Sequence, residues 1–217
     1  MEKYIRMAIY AHAALGGLAL LSGAMAIYVK KGSCWHKRSG RLFFFSMLFS
    51  AVSALVISCL PHHESPFLFS IGLFSIYFLI TGLRSLGYKR AGIKLGMDRV
   101  IAWLIIIVGI AMMMYPVLWF RKLDMVLTTF GIVGFVFGIR DLRMLGEIGR
   151  PRKNWLKLHL GKMTGGYIAA VTAFFVVNQI LPGVWNWFFP GMVGGGYITF
   201  WMRKLNRNKI KPTRHKP

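Results

Sequence analysis

VIAWLIIIVGIAMMMYPVLWF, residues 100–120, runs for 21 positions without a charged side chain. A helix needs about 20 apolar residues to cross roughly 30 Å of hydrocarbon, so this stretch by itself points to a membrane. Working outward, comparable charge-free runs precede it at Met7–Val29, Leu42–Leu60 and Ser65–Leu83. After it come a shorter run, Met125–Ile139, bounded by Asp124 and Arg140, and a long one from Met163 to Met202. Pro182-Gly183 divides the long run, because the pair is a strong turn signal. The expectation is an all-α, polytopic transmembrane bundle of seven helices, over about 7–29, 42–60, 65–83, 100–120, 125–139, 159–181 and 184–202. They make one domain, 1–204, followed by a basic tail at 205–217.

Composition agrees. The 217 residues are 56% hydrophobic and 16% charged, against about 45–50% and about 25% in soluble domains. A formal charge of +22 would suit nucleic acid, but the basic residues sit in short runs between apolar segments, and no nucleic-acid motif accompanies them. There they would meet anionic lipid headgroups. The expected partners are those headgroups and a second copy of the chain, not nucleic acid. The start is read as a retained first helix, since its apolar run exceeds a signal-peptide core. Cys34 and Cys59 fall at opposite membrane faces, too far apart to pair.

Lys and Arg favour the cytoplasmic side of short loops. Seven spans place 24 of the 28 basic residues on one side, leaving Lys3, Arg6, Arg121 and Lys122 on the other. Removing the fifth span would put the later basic loops on the wrong side. Met125–Ile139 is therefore read as a full span rather than a re-entrant loop, with the amino terminus out and the carboxyl terminus in. Tyr115, Trp119, Trp185 and Trp187 then fall near the outer interface, and Tyr28, Trp35, Tyr88, Trp155 and Trp201 near the inner one, as interfacial aromatics do.

Small residues mark helix contacts. His12, Gly16, Ala19, Gly23 and Ala26 share one face of the first segment, and Gly134-x-x-x-Gly138 and Gly191-x-x-x-Gly195 occur later. Plain helix packing accounts for such faces. A sharper alternative is room for a flat cofactor or substrate beside the first helix. Pro190 and Gly194-Gly195-Gly196 point to a kinked or unwound seventh helix, since each interior Gly costs about 1 kcal/mol relative to Ala. Broken helices are a transporter feature, which motivates a transporter or channel reading. A cofactor-free scaffold or sensor is a further alternative.

Glu2, Glu64, Asp98, Asp124, Asp141 and Glu147 all lie at segment ends or in loops. No carboxylate is expected at mid-membrane, which argues against ion-coupled transport. No catalytic residue stands out, and histidine is left as the bearer of chemistry. His12 lies on the small face of the first segment. His36 and His159 are placed at helix starts at similar depth, where helix polarity favours the neutral, ligating imidazole and flanking cations could hold carboxylates. Two imidazoles from different helices can hold haem iron. His36 with His159 would form an inner site, and His12 with His62 or His63 an outer one, giving electrons a route across. The outer pair differs in depth by up to about 9 Å. His62, His63 and Glu64 are also a candidate metal set. Asn178 is an additional polar residue of interest, read first as an interhelical hydrogen-bonder.

Three stretches carry a resemblance: His12 with its Gly/Ala-rich helix, the turn His36-Lys-Arg-Ser-Gly-Arg41, and His159-Leu-Gly-Lys-Met-Thr-Gly-Gly followed by Ala-Ala-Val-Thr-Ala-Phe-Phe-Val-Val-Asn178. In these the chain resembles an uncharacterised family of small bacterial multi-pass membrane proteins, a domain of unknown function. The resemblance implies a bacterial inner-membrane setting and no known activity. A looser likeness is to two-haem membrane cytochromes, which place histidines near both faces and imply haem b.

Overall fold

The computed structural model describes residues 2–90 and 92–210. The described residues fold into seven helices: α1 (Glu2–Tyr28), α2 (Cys34–Ile57), α3 (Pro66–Arg84), α4 (Gly96–Phe120), α5 (Met125–Gly146), α6 (Arg150–Asn178) and α7 (Trp185–Ile210). A 3-10 turn, Ser85–Lys89, follows α3, and the described residues contain no strand. Six helices, all but α7, are long and apolar enough to cross a bilayer. This is the architecture of a multi-pass integral membrane protein. Between Trp185 and Met202 α7 also has no charge, but Asn186, the tryptophans and the glycines dilute its apolar content.

Local chemistry sets the helix starts. The Ser33 hydroxyl accepts the His36 N–H at the start of α2. Ser65 does the same for Leu68, with Pro66 in the first turn of α3. Asp124 accepts the Leu127 N–H at 2.8 Å at the start of α5. Such caps satisfy amide groups that lack a partner within the helix. Pro182-Gly183 lies in the turn between α6 and α7, as expected.

The structure corrects several expectations. α5 runs seven residues past the expected end at Ile139, through Arg140, Asp141 and Arg143, so it is a full-length helix and not a re-entrant loop. α6 begins at Arg150, not at 159. α7 passes unbroken through Pro190 and Gly194–Gly196, so no unwinding is present. Positions 205–210, in the expected tail, continue that helix, while 211–217, with His215, lie outside the described residues.

Two cores share α3. Ala19, Phe43, Phe44, Met47, Leu79 and Ala170 join α1, α2, α3 and α6. Phe74, Tyr77, Phe78, Ile105, Met112 and Leu127 join α3, α4 and α5. The outward faces stay apolar, with Leu104, Ile107, Leu118, Ile132, Val136 and Phe200 exposed. Lipid is as apolar as these side chains and leaves them in place.

Glycine permits the closest approaches. A Cβ on Gly109 would come 2.6 Å from the Gly131 carbonyl oxygen, and one on Gly138 would come 2.8 Å from that of Ala102, so α4 and α5 cross backbone to backbone. The small face of α1 is filled: a Cβ on Gly23 would meet the Tyr167 ring at 2.5 Å and Phe43 at 2.9 Å. No room for a flat cofactor remains at that point on α1. In α7, Gly194 packs against Ile168, whereas Gly191 and Gly195 have nothing within 4 Å.

Candidate functional site

The loops expected to be basic meet at one end of the bundle. Lys31, after α1, donates to the Ala26 carbonyl at 3.1 Å and also to that of Ile27. Its ammonium stands 5.6 Å from the Trp201 ring of α7. Lys89, after α3, lies 4.8 Å from the Trp155 ring of α6. Just inside this end is a layer of polar side chains reaching across α2 to α6.

Histidines form one side of the layer. The His36 Nδ1–H donates to the Ala26 carbonyl at 3.0 Å. The His159 Nδ1–H donates to the Gly82 carbonyl at 2.9 Å. A carbonyl only accepts, so each Nδ1 carries the proton, and in the neutral ring that leaves the lone pair on Nε2. Trp155, whose ring meets Lys89, lies one turn before His159 on α6. His159 is ten residues into α6 and not at a helix start, because α6 begins at Arg150.

Two carboxylates form the other side. Asp141 on α5 accepts from the Tyr77 hydroxyl of α3 at 2.6 Å and from the Lys162 ammonium of α6 at 2.6 Å, both on Oδ2. Lys162 also reaches the Tyr77 oxygen. Asp98 on α4 receives Arg84 in bidentate fashion, Nε to Oδ1 and Nη2 to Oδ2, each at 2.7 Å. The Tyr88 hydroxyl donates to Asp98 Oδ1 at 2.7 Å. Each carboxylate thus holds one cation and one tyrosine. Asp98 is 2% exposed, Asp141 8% and Lys162 7%. Thr81, Ser85, Tyr88, Asp98, Asp141 and Lys162 line a cavity of about 10 Å³ between the two units, room for about one water.

Asp98 and Asp141 lie near helix ends, as expected, but both are buried and paired there. Lys162, expected among the loop cations, is inside as well. Tyr88 is a buried ligand of Asp98 and not an interfacial anchor. The signal was present in the spacing. Gly131, Gly134 and Gly138 lie on the buried face of α5, and the next positions on that face are Asp141 and Leu145.

The remaining expected residues are apart from this layer. The His12 Nδ1–H donates to the Ser50 carbonyl at 2.9 Å, with the Ser53 hydroxyl at 3.2 Å, and the Ser50 hydroxyl donates to the His12 carbonyl at 3.2 Å. That is an α1–α2 clasp, and its partners do not include His62, His63 or Glu64. Those three are exposed in the turn before α3. Among the described residues no group of three or more His, Cys, Asp or Glu could hold a metal ion. Asn178 donates to the Phe174 carbonyl of its own helix at 2.8 Å and bridges nothing. The buried amide is Asn186, 0% exposed, whose Oδ1 accepts from the Leu181 N–H at 2.8 Å in the α6–α7 turn.

Comparison with protein-family models, with curated proteins and with solved structures finds no match to this chain. The functional reading therefore rests on this geometry.

Proposed function

We propose that this is a bacterial inner-membrane protein that binds a b-type haem through His36 and His159 and carries electrons at its basic, cytoplasmic end. The observation that carries the reading is the shared state of the two imidazoles, each tied by Nδ1–H to a backbone carbonyl and each retaining Nε2 as a ligand. Such a bond fixes the tautomer and the ring, and makes the other nitrogen a better donor.

The ligand count favours haem over a bare ion. Zinc and its neighbours generally take three or four protein donors, and among the described residues no group of three such donors forms. Haem brings its own equatorial nitrogens and asks the protein for axial ligands only. Lys37 and Arg38 beside His36, with Lys89 against Trp155 one turn before His159, would suit its propionates. Electron transfer is assigned to one end because His62 and His63, the expected partners of His12 in an outer site, are exposed in the turn before α3 and are not among its partners. The basic residues at this end fit the cytoplasmic leaflet and its anionic headgroups, which puts the amino terminus outside. Transport has less support, since its motive was a broken α7 and α7 is continuous.

The test is an absorbance spectrum of detergent-purified protein expressed with ample haem. A Soret band that shifts on dithionite reduction is expected, lost in His36→Ala and His159→Ala and retained in His12→Ala. A colourless wild-type protein overturns the reading.

A further inference from the structure

The two carboxylate units are alike in shape and different in chemistry. Arg84 is a cation that does not give up its proton in proteins, whereas Lys162 can. The cation on Asp98 is therefore fixed, and the one on Asp141 is exchangeable. We propose that Asp141, Lys162 and Tyr77 form a proton-exchange site inside the membrane, filled and emptied from the basic end through the cavity that Asp98 also lines. This goes beyond the haem reading and does not depend on it.

Burial supplies the first reason. At 7–8% exposure both charged groups have lost most of their water, and desolvation offsets much of the attraction between them. The ammonium–carboxylate and amine–carboxylic acid forms then approach each other in energy, as they do not at a wet surface. Geometry supplies the second. Lys162 and Tyr77 meet the same oxygen, Oδ2, and Lys162 also contacts the Tyr77 oxygen. A proton passes from Nζ to Oδ2 directly, or by way of the hydroxyl, with no movement of a helix.

The step conserves charge within the unit. An N–H bond of Lys162 breaks, its electron pair stays on Nζ, and an O–H bond forms on Asp141. A further proton taken from water then converts the amine back to ammonium beside the neutral acid, leaving the unit one charge more positive. Loss of that proton to water reverses it. The other charged or titratable groups facing the site are Arg84 from α3, Tyr88 from the 3-10 turn, Asp98 from α4 and Arg140 from α5 itself, with His159 one turn earlier on α6. Thr81 and Ser85 supply hydroxyls along the cavity wall.

The test is infrared spectroscopy of the full chain in reconstituted vesicles, with isotope-labelled aspartate, through a pH titration and without added cofactor. The expected result is a protonated-carboxyl band that grows and fades across the titration and is lost in Asp141→Asn. Lys162→Arg keeps a cation in place and removes the exchangeable one, so it should abolish the band while circular dichroism shows the helices intact. A wild-type protein with no such band at any pH at which it stays folded overturns the proposal and leaves a static ion pair. Survival of the band in Lys162→Arg overturns it equally. A colourless protein that retains the band would sink only the haem reading.

Discussion

Lys162 and Asp141 stand 21 residues apart on different helices and meet at 2.6 Å in the bundle interior. Removing one member of a buried pair strands the other. Asp141→Asn or Lys162→Met alone should each lower stability by about 3–5 kcal/mol, and the double variant should recover most of that loss. Thermal unfolding in detergent, arranged as a double-mutant cycle, measures the coupling. Additive losses would show that the pair does not act as a unit.

Glycine substitutions separate contact from composition. Gly109→Ala drives a methyl to 2.6 Å from the Gly131 oxygen, and backbone cannot yield cheaply, so a loss of about 1–3 kcal/mol is expected. Gly195→Ala meets nothing within 4 Å and should be neutral or stabilise by up to about 1 kcal/mol through helix propensity. Melting temperatures of the two variants in one detergent decide this, and the reverse order would contradict the α4–α5 crossing.

His12 is assigned to the α1–α2 clasp. His12→Ala should cost about 1 kcal/mol, the usual size of an interhelical hydrogen bond in a membrane. Any haem spectrum should be unchanged. Loss of the spectrum in a folded His12→Ala protein would return His12 to the cofactor site.

The two amides near the α6–α7 turn should behave differently. Asn186→Ala leaves the buried Leu181 amide without its acceptor, at an expected loss of about 1–3 kcal/mol. Asn178 is exposed and bonds within its own helix, so Asn178→Ala should fall within about 0.5 kcal/mol of wild type. Chemical denaturation of both variants gives the comparison.

Orientation is open to a direct measurement. A reporter fused after Pro217 should be active if it requires the cytoplasm and silent if it requires the periplasm. The opposite pattern would place the polar layer at the outer face.

The helices were legible in the sequence because uncharged runs of bilayer length have few other uses. Their ends were not. Hydropathy reports where lipid begins, so Arg150–Leu158 was left out of α6 although its backbone is helical, and α5 was cut at Arg140 although the helix runs on. The same rule hid the carboxylates. Asp98 and Asp141 each adjoin an arginine, Arg99 and Arg140, and so read as parts of basic loops. What distinguishes them is position on a buried face. For Asp141 that was visible in the glycine spacing, and for Asp98 it was not, because its partners come from elsewhere, Arg84 from the end of α3 and Tyr88 from the 3-10 turn that follows. His36 and His159 were set together on expected depth alone, and what each ring bonds to was not foreseen. Their carbonyl partners, Ala26 and Gly82, belong to helices that no local pattern connects to them.

α3 belongs to both apolar cores, and it also carries the Gly82 carbonyl that holds His159, the Tyr77 hydroxyl on Asp141 and the Arg84 guanidinium on Asp98. These three attachments ride on a single rod. A slide of α3 along its own axis by the length of a hydrogen bond would release all of them together. An imidazole and two carboxylates thereby share one support, and any displacement of that helix would bear on all three.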